Sequence, residues 1–253
     1  MRQVIKKYNK TLISISSLIF FFLAWELSLN IFEVSKTVLI KPSEILNTCI
    51  TDYDILSKEM IYSAKEILPG WLIGNALGFL AALSIYRKDR IAKRLVNVSV
   101  LVNSIPLITL AAVLGGIVGT NQNQKILLVS LITFFPTFIT TLSELTNIDE
   151  GHKDLLLSYN SSEKQILKKV LLPKSLPSIL NSVKVTVTTA IFTAITAEFF
   201  GGYGGIGIFI LSKKGLYNLK LVWAGIFFIA LFGSLFYSTV QLLQKRLVRW
   251  QKS

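Results

Sequence analysis

Apolar residues gather into six long runs, at about 12–32, 64–86, 95–119, 125–146, 176–200 and 219–243, with short polar stretches between them. About 20 residues of helix cross a hydrocarbon core of about 30 Å, so each run predicts a membrane-spanning helix. Polar residues and glycines inside some runs leave their borders soft. Between the first two runs, Pro42 to Ile61 is too polar to span, and Pro42 and Ser43 open a short helix expected to lie along the outer surface over about 42–61. Nothing rich in Pro, Gly or Ser divides the chain, so residues 1–253 are expected to form one membrane domain.

The connection at about 147–175 has a different pattern. Asp149 to Tyr159 predicts one short helix, broken at Asn160-Ser161, and Ser162 with Gln165 three residues later fits a capping box that restarts a helix. On that second helix Ile166, Leu167, Val170 and Leu171 share a face, with Glu163, Lys164 and Lys168 away from it. Pro173 is expected to end the helix, and Pro177 is tolerated in the first turn of the next one. The expected result is a helix-turn-helix knuckle, serving either to cap the bundle or to dock a partner.

Charge orients the runs. The chain has 27 Lys and Arg against 14 Asp and Glu, a net +13, with a mean hydropathy of +0.57. The cations cluster before the first run (Arg2, Lys6, Lys7, Lys10), between the second and third (Arg87, Lys88, Arg90, Lys93, Arg94), and at the end (Lys245, Arg246, Arg249, Lys252). These clusters fall on one side of six spans, and the positive-inside rule makes that side the cytoplasm. Both termini and the 147–175 loop are then cytoplasmic, and membrane topology accounts for the basicity without nucleic acid. Lys213 and Lys214 break the trend on the outer side, where an anion-attracting mouth, a protein-docking patch or anionic lipid would each explain them. The single Cys49 and His152 exclude a disulfide and a multi-histidine or multi-cysteine metal site.

Several motifs resemble the permease subunits of bacterial ABC importers, in their nitrate/sulfonate/taurine-type branch. Asp154-Leu155-Leu156 stands where the Glu-Ala-Ala of that family's cytoplasmic loop would, Asn160 where its Gly would, and Val170-Leu171-Leu172-Pro173 closes the motif. "LIKPSE" at 39–44, "NSIPLITLAAVL" at 103–114, "FPTFITTLSELTNID" at 135–149, "LLPKSLPSIL" at 171–180 and "AEFFGGYGGIG" at 197–207 follow in the family's order. The resemblance implies an all-α membrane protein with six transmembrane helices, in the type I (MetI-like) importer fold with cytoplasmic coupling helices. It implies a homodimeric pore, a cytoplasmic ATPase pair bound at Asp154, Leu155, Leu156, Asn160, Leu172 and Pro173, and an external binding protein that delivers solute. The sequence has no Gly-x-x-x-x-Gly-Lys-Ser/Thr loop, so ATP hydrolysis is expected of a partner, with no cofactor or metal on this chain. The implied solute is nitrate, a sulfonate or taurine, although similar permeases carry thiamine-precursor pyrimidines and other nutrients. A secondary transporter is the rival class, needing an ion site or inverted repeats that the sequence does not display.

Polar groups inside the runs are candidates for the solute path: Asn103, Ser104 and Pro106 in the third, with Thr109, and Thr193, Thr196 and Glu198 in the fifth. Related permeases often carry Arg at the position of Asn103, so the anion preference of that branch does not transfer automatically. Threonine in membrane helices also bonds its own backbone. Glu198 either lines the pore mouth or holds the turn that follows it. Gly201, Gly202, Gly204, Gly205 and Gly207 predict a tight outer turn in which only glycine allows close backbone approach.

Overall fold

The computed structural model describes residues 2–33, 35, 38–146, 161–248 and 250; the helix expected over 149–159, Asp154, Leu155, Leu156, Asn160 and His152 lie outside the described residues. The described residues form nine helices: α1 (Arg2–Ile31), α2 (Pro42–Thr51), α3 (Tyr53–Ile85), α4 (Asp89–Asn103), α5 (Leu107–Val118), α6 (Gln122–Thr146), α7 (Glu163–Glu198), α8 (Ile206–Gly215) and α9 (Leu219–Leu247). The helices α3, α6, α7 and α9 are long and apolar enough to cross a membrane.

Four expectations change. The surface helix expected over 42–61 stops at Thr51, and after the single turn residue Asp52 the chain enters α3 at Tyr53. Residues 53–61 therefore belong to the 33-residue α3, because nothing between Tyr53 and the apolar run breaks a helix and Asp54 suits its first turn. The third run is not one helix. Pro106 takes an extended backbone (ψ 129°) ahead of α5, and a residue without an N–H separates two helices of 15 and 12 residues. In the first run, the described apolar part of α1 is the shorter stretch Ile19–Ile31.

The fourth correction concerns the knuckle. Ser162 and Gln165 form the capping box, each side chain accepting the other's backbone N–H, and Ile166 and Leu171 are buried with Leu145. Pro173 does not end the helix that starts there. The turn Leu167–Leu171 widens into a π-helix in which the Leu172 N–H donates to the Leu167 carbonyl, and α7 continues to Glu198 with Pro177 in its interior. A π-turn adds one residue to the ladder and re-spaces it beside a proline that has no N–H to donate.

The chain divides into two compact units. The first comprises residues 1–58 and 209–228. In it the Glu26 carboxylate accepts the Ser43 N–H (3.0 Å) and hydroxyl (2.6 Å) at the start of α2, Lys220 pairs with Glu44 at 3.0 Å, and Trp25 meets Trp223 edge-on. Lys213 and Lys214 occupy the last turn of α8, where cations favour the helix dipole, and the Lys213 ammonium lies 5.2 Å from the centre of the Phe209 ring.

The second unit comprises residues 59–208 and 229–253. Here α3 presents one row of residues, Gly70, Gly74 and Gly78, to α6. A Cβ at Gly70 would lie 2.7 Å from the Val129 Cβ, one at Gly74 2.3 Å from the Ser130 carbonyl oxygen, and one at Gly78 2.5 Å from that of Phe134. Ascending partners show that the two helices run in the same chain direction. Small residues four apart let membrane helices approach until backbones touch. One turn of α3 beside that row, Asn75 joins three helices. Its side-chain oxygen accepts from Thr137 (2.6 Å) and Thr186 (3.0 Å), and Thr186 in turn accepts from the Trp71 indole at 3.0 Å. Ala111, Leu128 and Ala197 pack α5 onto α6 and α7.

A side chain at Gly74 therefore has nowhere to go, since it would strike the Thr133 hydroxyl and the Ser130 backbone together. Gly74→Leu is expected to lower the thermal midpoint of the detergent-purified protein, overpacking costing about 1–3 kcal/mol or more. Gly116→Leu, at a site with nothing within 4 Å of the added Cβ, is expected to leave it unchanged; equal melting of the two variants would refute the packing role of the row.

Candidate functional site

The fifth run ends at a buried polar centre. Glu198 is the last residue of α7 and is fully buried. The chain then turns through Gly201, Gly202 and Gly205, each with positive φ (122°, 139° and 122°), and α8 begins at Ile206. A starting helix leaves its first N–H groups without backbone partners. Here the Gly205 N–H donates to Glu59 (2.9 Å), the Ile206 N–H to the Ser63 hydroxyl (2.9 Å) and the Gly207 N–H to Glu198 (2.5 Å). Ser63 also donates to Glu198 at 2.5 Å. Two carboxylates at a helix N-terminus satisfy its donors and favour its dipole.

The glycines are needed for space as well as for φ. A Cβ at Gly205 would lie 2.4 Å from the Glu198 carboxyl carbon, one at Gly207 2.7 Å from its Oε2, and one at Gly202 2.6 Å from the Lys125 Nζ. Gly204 sits against the Tyr62 ring and Gly201 against Thr120.

Lys125, the first cation of α6, is 1% exposed and pairs at 3.2 Å with Glu66, which is fully buried. Its ammonium also lies 5.9 Å from the centre of the Tyr62 ring. An isolated charge in such surroundings costs several kcal/mol, whereas a pair with further polar neighbours is tolerated. Ser63, Glu66 and Lys125 were not among the residues singled out from the sequence. The available signal was spacing: Glu59, Ser63 and Glu66 recur at four and three residues, one face of a helix, across the start of the second apolar run.

The other candidates are dispersed. Asn103 ends α4, with its side chain outside the described residues. Ser104, Pro106 and Thr109 are exposed at the α4–α5 break. Thr193 is fully buried, and its hydroxyl makes no hydrogen bond among the described residues. Thr196 is partly buried. Leu172 packs beside the Leu145, Ile166 and Leu171 cluster, and Pro173 is partly buried behind the π-turn. The described geometry is that of a helix bundle with charged groups sealed inside and polar breaks along its length.

Known proteins give this arrangement a context. The aliphatic sulfonates transport permease protein, as it is named, SsuC of Bacillus subtilis (strain 168) is 27% identical over 232 residues, which cover 90% of this chain and 84% of that one. The formylaminopyrimidine transport permease protein ThiX of Halalkalibacterium halodurans is 26% identical, covering 72% and 73%. Among solved structures, a chain of the MetNI methionine ABC transporter in an inward-facing conformation superposes with a TM-score of 0.62 at 21% identity, over 79% of this chain and 97% of that one, and so shares the fold. The family of binding-protein-dependent transport system inner membrane components matches residues 74–249, and this chain belongs to it.

Proposed function

We propose that the chain is the permease subunit of an ATP-driven importer, that two copies form the pore, and that it carries out no catalysis itself. A separate cytoplasmic ATPase pair binds the 147–175 loop, and an extracytoplasmic binding protein delivers the solute. The observation that carries this reading is the family match over residues 74–249, which includes the loop, α7 and the glycine turn. The π-turn supports a mechanical role: it joins the loop to α7 without a break, so a push on the loop would act along one 36-residue helix. The distribution of Lys and Arg supports cytoplasmic termini in a bacterial inner membrane.

In this reading Asp154, Leu155, Leu156, Asn160, Leu172 and Pro173 couple the ATPase to the bundle. Asn103, Ser104, Pro106, Thr109, Thr193 and Thr196 are candidates for the solute path. The bonds of Glu198 to Ser63 and Gly207 favour its holding the outer turn over its touching solute. The solute is small and polar, of the nitrate, sulfonate or taurine type, which the Bacillus relative supports. A thiamine-precursor pyrimidine is the second reading, supported by the Halalkalibacterium relative.

Two measurements check these assignments. Asp154→Lys combined with Leu156→Asp is expected to abolish co-purification of the ATPase, or to lower solute-stimulated ATP turnover by about tenfold or more, while the chain still inserts in the membrane. Unchanged turnover counts against the coupling role. Deleting the chain is expected to abolish growth on taurine or alkanesulfonates as sole sulfur source. Retained growth there, with loss of formylaminopyrimidine uptake, decides for the second solute.

A further inference from the structure

The buried centre at the end of α7 does not balance its charges. Glu66 and Glu198 are both fully buried, and the cation that faces them is Lys125, 1% exposed and 3.2 Å from Glu66. Two carboxylates against one ammonium leave one negative charge uncompensated. Glu59 adds a third carboxylate, but it is partly exposed and water serves it. The α8 N-terminus brings a partial positive charge, yet its donors go to Glu59, Ser63 and Glu198 and none to Glu66. Lys184 in α7 shows the other way to keep a charge: it is partly exposed, with its ammonium 5.8 Å from the centre of the Tyr237 ring on α9. Glu66 and Glu198 have no such outlet, and a buried charge without a counter-charge is strongly destabilising.

The two buried carboxyls are bonded differently. Glu198 accepts the Ser63 hydroxyl (2.5 Å) on Oε1 and the Gly207 N–H (2.5 Å) on Oε2, donors that suit an ionised carboxylate. Glu66 accepts no hydrogen bond at either oxygen among the described residues, the Lys125 ammonium standing beside its Oε1 without hydrogen-bond alignment. Instead the Glu66 side chain meets that of Glu198 within hydrogen-bonding reach. Two ionised carboxylates repel at that range and offer no hydrogen between them. A carboxylic acid facing a carboxylate makes a strong O–H···O⁻ bond there.

We propose that this centre is a proton-binding site: at neutral pH Glu66 is a carboxylic acid whose O–H donates to the Glu198 carboxylate, and the Lys125 ammonium balances Glu198. One bound proton brings the buried charges to zero, gives the unpartnered Glu66 a bond to donate, and keeps Glu198 as the acceptor that Ser63 and Gly207 need. A metal cation fits less well, because an ammonium already stands beside Glu66 and a proton needs no coordination shell. The proton ties α3 to α7 at the residue that fixes the start of α8. Its loss would set two carboxylates against each other and loosen the glycine turn. The assignment does not depend on which solute the chain carries.

The test is infrared spectroscopy of the full-length chain at neutral pH in dodecyl maltoside, a detergent without a carbonyl group. Exposed Asp and Glu are ionised there, so a protonated carboxyl stands out as a C=O band apart from the carboxylate bands. The wild type is expected to show this band and Glu59→Gln to keep it. Glu66→Gln and Glu198→Gln should each lose it, because each leaves one carboxylate for one ammonium. Glu66→Gln removes no hydrogen bond that Glu66 accepts, and its amide still donates to Glu198, so it carries the test if Glu198→Gln does not fold. It should melt within about 5 °C of the wild type; a larger fall would mark Glu66 as the ionised partner of Lys125 and overturn the assignment. Absence of the band from the wild type, or its survival unchanged in Glu66→Gln or Glu198→Gln, also overturns it. A wild type without the band whose melting rises in sodium chloride, relative to N-methylglucamine chloride, holds a metal cation there instead.

Discussion

The backbone N–H groups that open α8 set the constraint on which the second unit depends. They emerge in an apolar setting, and an unsatisfied donor there costs several kcal/mol. Glu59, Ser63 and Glu198 receive three of them. That solution requires α3 to present residues 59 and 63 to the turn, α7 to end at Glu198, and the chain between to be glycine where a Cβ would strike a carboxylate. Removing Glu198 would orphan the Gly207 N–H and a bond from Ser63 together, so the three elements are fixed jointly.

The same constraint runs on down α3. Glu59, Ser63, Glu66, Gly70, Gly74 and Gly78 form one row at intervals of four and three residues. Its upper half carries the polar groups that meet the α8 start and Lys125; its lower half is stripped to glycine so that α6 can lie against it. Helix association in a bilayer gains little from apolar burial, because lipid is as apolar as leucine. Close backbone approach and interhelical hydrogen bonds must serve instead. The bonds at Asn75 are of the kind that average about 0.6 kcal/mol in membrane bundles, so their main effect is on register: an amide oxygen that accepts from both Thr137 and Thr186 fits only one axial position of α6 and α7.

What could be read from the sequence follows from how local each signal is. The apolar runs of α6, α7 and α9, the Ser162–Gln165 capping box and the face carrying Ile166 and Leu171 depend on residues within a turn or two of one another, and all were legible. Pro173 misled because a proline counted alone removes one bond and ends a helix, whereas a π-turn five residues long restores the path. Pro106 misled in the other direction, since the third run reads as one span and the extended residue there separates two helices. Lys125 and Glu66 were hidden by position. Each stands at the border of an apolar run, where a charge reads as marking the end of a span, and only the packing of α3 on α6 brings them together.

The contrast between Lys125 and Lys184 shows what folding does with charge in such a chain. At Lys125 the cost of desolvation is offset by Glu66 and the Tyr62 ring, with accessibility reduced to 1%, and a group held that way has no capacity left for a ligand. At Lys184 an aromatic face is the only partner described, and a cation over a ring gains about 0.5–2 kcal/mol, less than the several kcal/mol of effective desolvation for a buried ion. Partial exposure makes up the difference by leaving the ammonium able to reach water. A lysine kept in that state is stabilised only incompletely by its own fold, and the water it reaches supplies what the aromatic face does not.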